Sequence, residues 1–275
     1  MPYGTRIKKM NIKEEAILHS LHIISIDKSK KPESFGCGCL VLFRNFYFVL
    51  TVAHIQKSKE SKLVLILHNL PELNQIPNWY IINPMKFKSY RTKYPVWFGK
   101  IIIKLFNKSG LSKKINPLSK VMKYMGGIDF ASSAVYLPYV PILSLPIDSQ
   151  YVGLPYKYFD YQNVKEPTIK ENYSFYGLIE LGTRKDNYRC KEFYIDNMKY
   201  IETKGYYHKF SIDQDNKILK GCSGSPILDS NGNLVSLVVK RDKIKKNIIY
   251  GIDLKKLTIA LHIEVNNITG EEIYE

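Results

Sequence analysis

No stretch of the chain approaches the run of about 18 apolar residues that a membrane-spanning helix needs, and no self-similarity at a period of about 20–50 residues marks a repeat array. Cysteine is scarce. Four in 275 residues cannot frame a disulfide scaffold, and Cys37 and Cys39, two apart on one expected strand, are badly placed to pair with each other. The opening MPYGTRIKKMNIKEEAIL is charged but has no continuous apolar segment and no small-residue cleavage site, so no secretory leader is expected. A glycosylation sequon such as Asn267-Ile268-Thr269 carries little weight without one. These absences predict a reduced, intracellular (cytoplasmic) protein with no membrane partner.

Acidic residues are also in deficit: 25 Asp+Glu face 41 Lys+Arg, for a net charge of +16. Such a field can steer a protein toward nucleic acid, anionic membrane or an acidic substrate. The basic residues are scattered, however, as at Lys28 to Lys31, Lys113-Lys114 and Lys240 to Lys246. No RNA-binding, zinc-finger or helix-turn-helix signature accompanies them. Lys, Ile, Asn and Tyr are abundant together, as AT-rich coding sequence tends to produce. The charge is therefore read as compositional, nucleic acid is not an expected partner, and neither a metal nor a cofactor is assigned.

What the chain does have is a core, with 45% hydrophobic and 13% aromatic residues. Short period-2 and apolar runs rich in Val, Ile, Tyr and Phe predict strands at LHIISI (21–26), CGCLVLF (37–43), YFVLTVA (47–53), KLVLILH (62–68) and WFGKIIIKLF (97–106). Further strands are expected at FASSAVYL (130–137), YSFYGLIEL (173–181), YRCKEFYI (188–195), YYHKFSI (206–212) and LVSLVV (234–239). Helical signals lie only near the ends, where Asn11 to Ala16 opens a short helix and LKKLTIALHI (254–263) has helical spacing. Many strands without alternating helices predict an all-β barrel or sandwich. The proline-rich LPYVPILSLP (137–146) is the best linker. The expected division is an N-terminal extension at 1–18, a β-barrel at 19–138, a linker at 139–150 and a second β-barrel with the C-terminal helix at 151–275.

Three short motifs carry chemistry. His54 ends the apolar strand in TVAHI, Asp129 follows a glycine pair in GGIDFASSAVY, and Ser223 lies in GCSGSPILDSNGNLV. Alone, each is ordinary: a structural histidine, a turn aspartate, a glycine-rich turn before an Asn231-Gly232 hairpin signal. Together they stand in the order His, Asp, Ser, one of several orders in which triads occur.

On these residues the chain resembles the trypsin-like (chymotrypsin-fold) serine proteases. Thr51 to His54, Asp129-Phe-Ala and Gly221 to Pro226 are similar to that family's three signature blocks. The Ser-Gly-Ser-Pro core is closest to bacterial glutamyl-endopeptidase-like members, and Gly36 to Val41 resembles the small-residue strand before the histidine. The resemblance implies two antiparallel six-stranded β-barrels with the site between them. It also implies an acyl-enzyme mechanism in which His54 is the base, Asp129 orients it and Ser223 attacks. The backbone N–H groups of Gly221 and Ser223 would form the oxyanion hole. Cys222 is the rival nucleophile, but in the family motif the nucleophile directly precedes the second glycine, which selects Ser223.

Two departures from the family bear on regulation. Cys222 occupies the position where secreted members often hold the aspartate that receives a freed N-terminus, so activation by that route is not expected. Ile55 stands where secreted trypsins have a stapling cysteine. By motif offset the first substrate pocket would have Lys217 at its base and Val239, Lys240 and Arg241 along its wall. Those cations either favour an acidic residue before the scissile bond or snorkel to solvent. The expected function is limited proteolysis of a specific protein substrate, restrained by a regulatory partner or a narrow substrate list. A catalytically silent binding module on the same fold is the alternative.

Overall fold

The computed structural model describes residues 11–29, 32–57, 60–66, 88–89, 128–135, 157–184, 187–213, 219–242 and 244–270. The strand expected at 97–106, the linker at 139–150 and Lys217 lie outside the described residues. The expected all-β class is the one observed: a closed six-stranded barrel, a sheet forming a barrel half, and a short C-terminal helix.

The first sheet takes its strands from both sides of the 139–150 segment. Its path runs β4 (Lys62–Ile66), β1 (Leu21–Ile26), β2 (Pro32–Phe43), β3 (Phe46–Thr51), β6 (Ala131–Val135), β5 (Lys88–Ser89). β2 is long enough to serve two neighbours: its first half pairs antiparallel with β1 and its second half with β3. The β2–β3 turn is tight because Arg44 and Asn45 both adopt positive φ, 48° and 66°, the conformation a two-residue hairpin needs. β7 (Tyr158–Asp160), in the half assigned to the second barrel, pairs in parallel with Leu40 to Leu42 of β2.

The second sheet closes as β10 (Tyr207–Ser211), β13 (Ile248–Asp253), β12 (Leu234–Arg241), β11 (Pro226–Asp229), β8 (Asn172–Arg184), β9 (Asn187–Lys204). Its interior is filled by Tyr173, Phe175, Ile195, Met198, Phe210, Ile227, Val235, Val238 and Ile249. A second, larger cluster joins the first sheet to the outer face of this barrel through Leu228, Leu234, Leu237 and Val239. β12 therefore faces apolar cores on both sides. That is why LVSLVV reads as a continuous apolar run, where a strand with one face in water would alternate.

The helices lock the halves crosswise. α1 (Ile12–His19) is opened by a reciprocal capping box, Asn11 Oδ1 accepting from Glu14 N–H and Glu14 Oε2 from Asn11 N–H, each at 2.9 Å. It ends against the second barrel, where the Ser20 hydroxyl donates to the Tyr176 carbonyl at 3.2 Å. A 3-10 turn at Leu254–Leu257 leads into α2 (Thr258–Thr269), which runs past the expected Ile263 to a left-handed cap at Gly270. α2 returns to the first half, with Lys88 Nζ 2.6 Å from Glu264 Oε2 and Phe43 edge-on to His262. No helix among the described residues is long and apolar enough to cross a membrane.

Candidate active site

His54 and Asp129 are brought together by strand pairing. Thr51, the last residue of β3, lies opposite Ala131, the first residue of β6. His54 sits on a 3-10 turn (Ala53–Ile55) directly beyond one strand end, and Asp129 directly before the other. Ala53 and Ile55 are buried on either side of His54, as are Ile128 and Phe130 beside Asp129. Each polar side chain is thus held at the seam by apolar neighbours in the core.

Ser223 lies in the turn between residue 219 and β11. Gly224 N–H donates to the Val238 carbonyl at 2.6 Å, and Val238 N–H to the Ser225 carbonyl at 2.9 Å, which staples the turn to β12. The other staple comes from β2, where Cys37 N–H donates to the Ser223 carbonyl at 2.7 Å. The carbonyl of the same Cys37 accepts from the Thr51 hydroxyl at 2.6 Å. One backbone residue therefore holds both the strand leading to His54 and the turn carrying Ser223. Gly221 and Gly224 have φ of 107° and 89°, a region costly for residues with a Cβ. A methyl group on Gly224 would overlap the Cys37 carbonyl.

The three side chains form one hydrogen-bonded chain. Asp129 Oδ2 is 2.6 Å from His54 Nδ1, and Asp129 Oδ1 accepts from His54 backbone N–H at 2.9 Å. Because the carboxylate only accepts, the network assigns the ring proton to Nδ1. Nε2 then presents a lone pair to Ser223 Oγ at 2.9 Å. The carboxylate is more shielded than the imidazole, 18% against 31% exposed. Solvent and a ligand thus have readier access to the ring. Neither Gly221 N–H nor Ser223 N–H donates to an acceptor among the described residues.

Cys222 is fully buried, with its Sγ 3.8 Å from the Leu178 carbonyl on the barrel side. Burial, reinforced by the neighbouring Cys37, pushes its thiol well above the ordinary value. That holds it in the unreactive protonated form. Cys37, Cys39 and Cys222 are all free and buried.

Among the residues expected to line a pocket, Val239 is at a break in the β12–β13 register between Val238 and Lys240. Its carbonyl lies 3.4 Å from Ser223 Oγ. Lys240 is exposed, with its ammonium 5.6 Å from the ring centroids of both Tyr207 and Tyr250, within cation–π range. Arg241 turns the other way and donates from Nε to the Lys246 carbonyl. Tyr207 is a site neighbour with no local sequence signal. Its hydroxyl lies against the backbone of Asp129, and burial pushes its pKa up while the hydrogen bond from Asp129 opposes this. It sits mid-run in a tyrosine-rich chain, and only the closing of the barrel brings it to the seam.

No family model and no curated protein matches the chain. Among solved structures it is similar to the serine endoprotease from Yersinia pestis, at 12% identity and TM-score 0.46, over 94% of this chain and 66% of that one. It is also similar to the tobacco vein mottling virus protease, at 10% identity and TM-score 0.42, over 90% and 81% of the two chains. A protease from M. tuberculosis in its active form gives 13% identity and TM-score 0.39, over 91% and 82%. The chain spans just under two thirds of the first of these.

Proposed function

We propose that the chain is a cytoplasmic serine endopeptidase that cuts a specific protein partner by limited proteolysis. The observation that carries this reading is the unbroken chain from Asp129 through His54 to Ser223, with contacts of 2.6 and 2.9 Å. A serine hydroxyl is a weak nucleophile until a base takes its proton. Here Ser223 Oγ attacks the substrate carbonyl carbon as its proton passes to His54 Nε2. Asp129 holds the Nδ1 proton and stabilises the imidazolium. The tetrahedral oxyanion turns toward the N–H groups of Gly221 and Ser223, one such donor being worth about 3–4 kcal/mol of transition-state stabilisation. Collapse expels the amine, which takes the proton from His54 and leaves an acyl-Ser223. Water then repeats the steps in reverse, losing its proton to His54 and releasing the acid.

The free, buried cysteines support a reducing compartment. Cys222 leaves no carboxylate to receive a freed N-terminus, so restraint falls to a regulatory partner or a narrow substrate list. Lys240 supports an acidic preference, because its ammonium is held over two rings on the strand segment whose Val239 carbonyl faces Ser223. The test is cleavage of a diverse peptide library by the full chain. The expected result is turnover lost in Ser223→Ala, with enrichment of Asp or Glu close to the cut, and that enrichment reduced at least tenfold in Lys240→Glu. Absence of any turnover by folded chain would make the fold a binding module. Turnover with no acidic enrichment would retain the protease and discard the role of Lys240.

A further inference from the structure

Away from the seam, the second barrel brings together Glu166, His208 and Asp253, whose ligand atoms all lie within 4.8 Å of one another. They come from three separate segments. His208 is on β10 and Asp253 ends β13, its strand partner. Glu166 follows Lys165, whose N–H is anchored on the Leu234 carbonyl at 2.9 Å. No spacing in the sequence could have announced the group.

The detailed geometry is unusual for a simple buried ion pair. Asp253 Oδ1 stands 3.8 Å and Glu166 Oε2 3.9 Å from His208 Nε2, both beyond hydrogen-bond length. His208 and Asp253 are almost completely buried, at 1% and 3% exposure, and Asp253 Oδ1 has no hydrogen-bond donor among the described residues. A buried carboxylate oxygen left without a partner is costly. The other Asp253 oxygen is satisfied by Lys256 Nζ at 2.9 Å. The far nitrogen of the imidazole is engaged as well, with His208 Nδ1 2.7 Å from Thr203 Oγ1 and Thr203 in turn 2.7 Å from the Tyr200 hydroxyl. Such an outer contact fixes the ring so that Nε2 points at both carboxylates, as ligating histidines are commonly fixed.

We propose that His208 Nε2, Asp253 Oδ1 and Glu166 Oε2 form a zinc site that ties the Glu166 loop to the end of the closed barrel. One imidazole and two carboxylates suit zinc, whose bonds of roughly 2.0–2.2 Å place tetrahedral ligands about 3.3–3.5 Å apart. The two separations from His208 Nε2 need to close by only about half an ångström. The two carboxylate oxygens, within 4.8 Å of each other, need to close by up to roughly 1.4 Å. Glu166 is half exposed, its ion-pair partner besides His208 among the described residues is Lys255 at 3.7 Å, and its solvent side leaves room for that movement and for water at the fourth position. The bound ion would give Asp253 Oδ1 its missing partner.

The experiment is calorimetric titration of the chelator-treated full chain with zinc chloride, alongside thermal unfolding with and without zinc. Cobalt(II) is the spectroscopic probe. The expected result is one zinc per chain, a raised unfolding midpoint and visible cobalt absorption of tetrahedral intensity. Binding should weaken at least tenfold in Glu166→Gln, a substitution at a half-exposed position that leaves the fold intact, and disappear in His208→Gln. Failure of the folded chain to take up stoichiometric zinc would overturn the proposal. Uptake unchanged in both variants, as by the imidazole of His54, would overturn it equally.

Discussion

Asp129→Asn changes one atom and keeps the shape of the side chain, so it isolates what the carboxylate contributes. Asp129 accepts two hydrogen bonds, from His54 Nδ1 at 2.6 Å and from His54 backbone N–H at 2.9 Å. An amide has one oxygen and can satisfy only one of those donors. If that oxygen stays on the backbone N–H, the NH2 group faces Nδ1. The ring proton must then move to Nε2, where it confronts Ser223 and abolishes the base. If the amide flips, its NH2 meets the backbone N–H and leaves a shielded donor unsatisfied, at a cost of about 1–3 kcal/mol. The first arrangement therefore dominates, and the stabilisation of the imidazolium is lost in either. The expected loss is about ten-thousand-fold in turnover, roughly 5.5 kcal/mol of transition-state stabilisation. The assay is the rate of fluorophosphonate inactivation together with kcat/KM on the best library peptide. Circular dichroism and a urea midpoint would show that the fold is retained. A variant reacting within tenfold of the parent would refute the assignment of Asp129.

Other consequences can be measured independently. Gly224→Ala should cost about 2–5 kcal/mol in urea unfolding and abolish turnover, because φ is 89° and the added methyl would overlap the Cys37 carbonyl. Cys222→Ala should keep fluorophosphonate reactivity within a few-fold while lowering stability by about 1–2 kcal/mol, since a buried thiol is removed and no reacting group is touched. His19 stacks on Phe159 with ring centroids 4.0 Å apart, and burial holds its pKa down to about 4 against an ordinary 6.5. The unfolded chain therefore binds the proton first, and this contribution to stability is present above pH 6.5 and lost as pH falls toward 4. The loss should be about 3 kcal/mol. Urea midpoints at several pH values should be flatter in His19→Gln than in the parent.

The candidate site residues stand out in the sequence because each occupies a locally distinctive setting: a histidine closing an apolar strand, an aspartate opening one, a serine in a Gly-Cys-Ser-Gly turn. Their mutual distances were not readable, since they depend on Thr51 pairing with Ala131 and on Cys37 bridging two elements. The strand LVSLVV was found from its apolar run, but the register break that turns the Val239 carbonyl toward Ser223 has no local signature. The Asn231-Gly232 signal did mark a hairpin, although Asp229 organises it by accepting from Asn231 and Asn233 N–H at 2.9 and 2.8 Å. β7 escaped notice for a different reason. Three residues carry too little periodicity to register, and their parallel partner lies more than a hundred positions earlier.

The proposed function stands or falls on Ser223 being a nucleophile activated by His54. Intact-mass measurement of the native chain after fluorophosphonate treatment tests it most directly. A single adduct is expected, absent in Ser223→Ala and after unfolding, and retained in Cys222→Ala. A folded chain that takes up no adduct, or one whose adduct survives in Ser223→Ala, would contradict it.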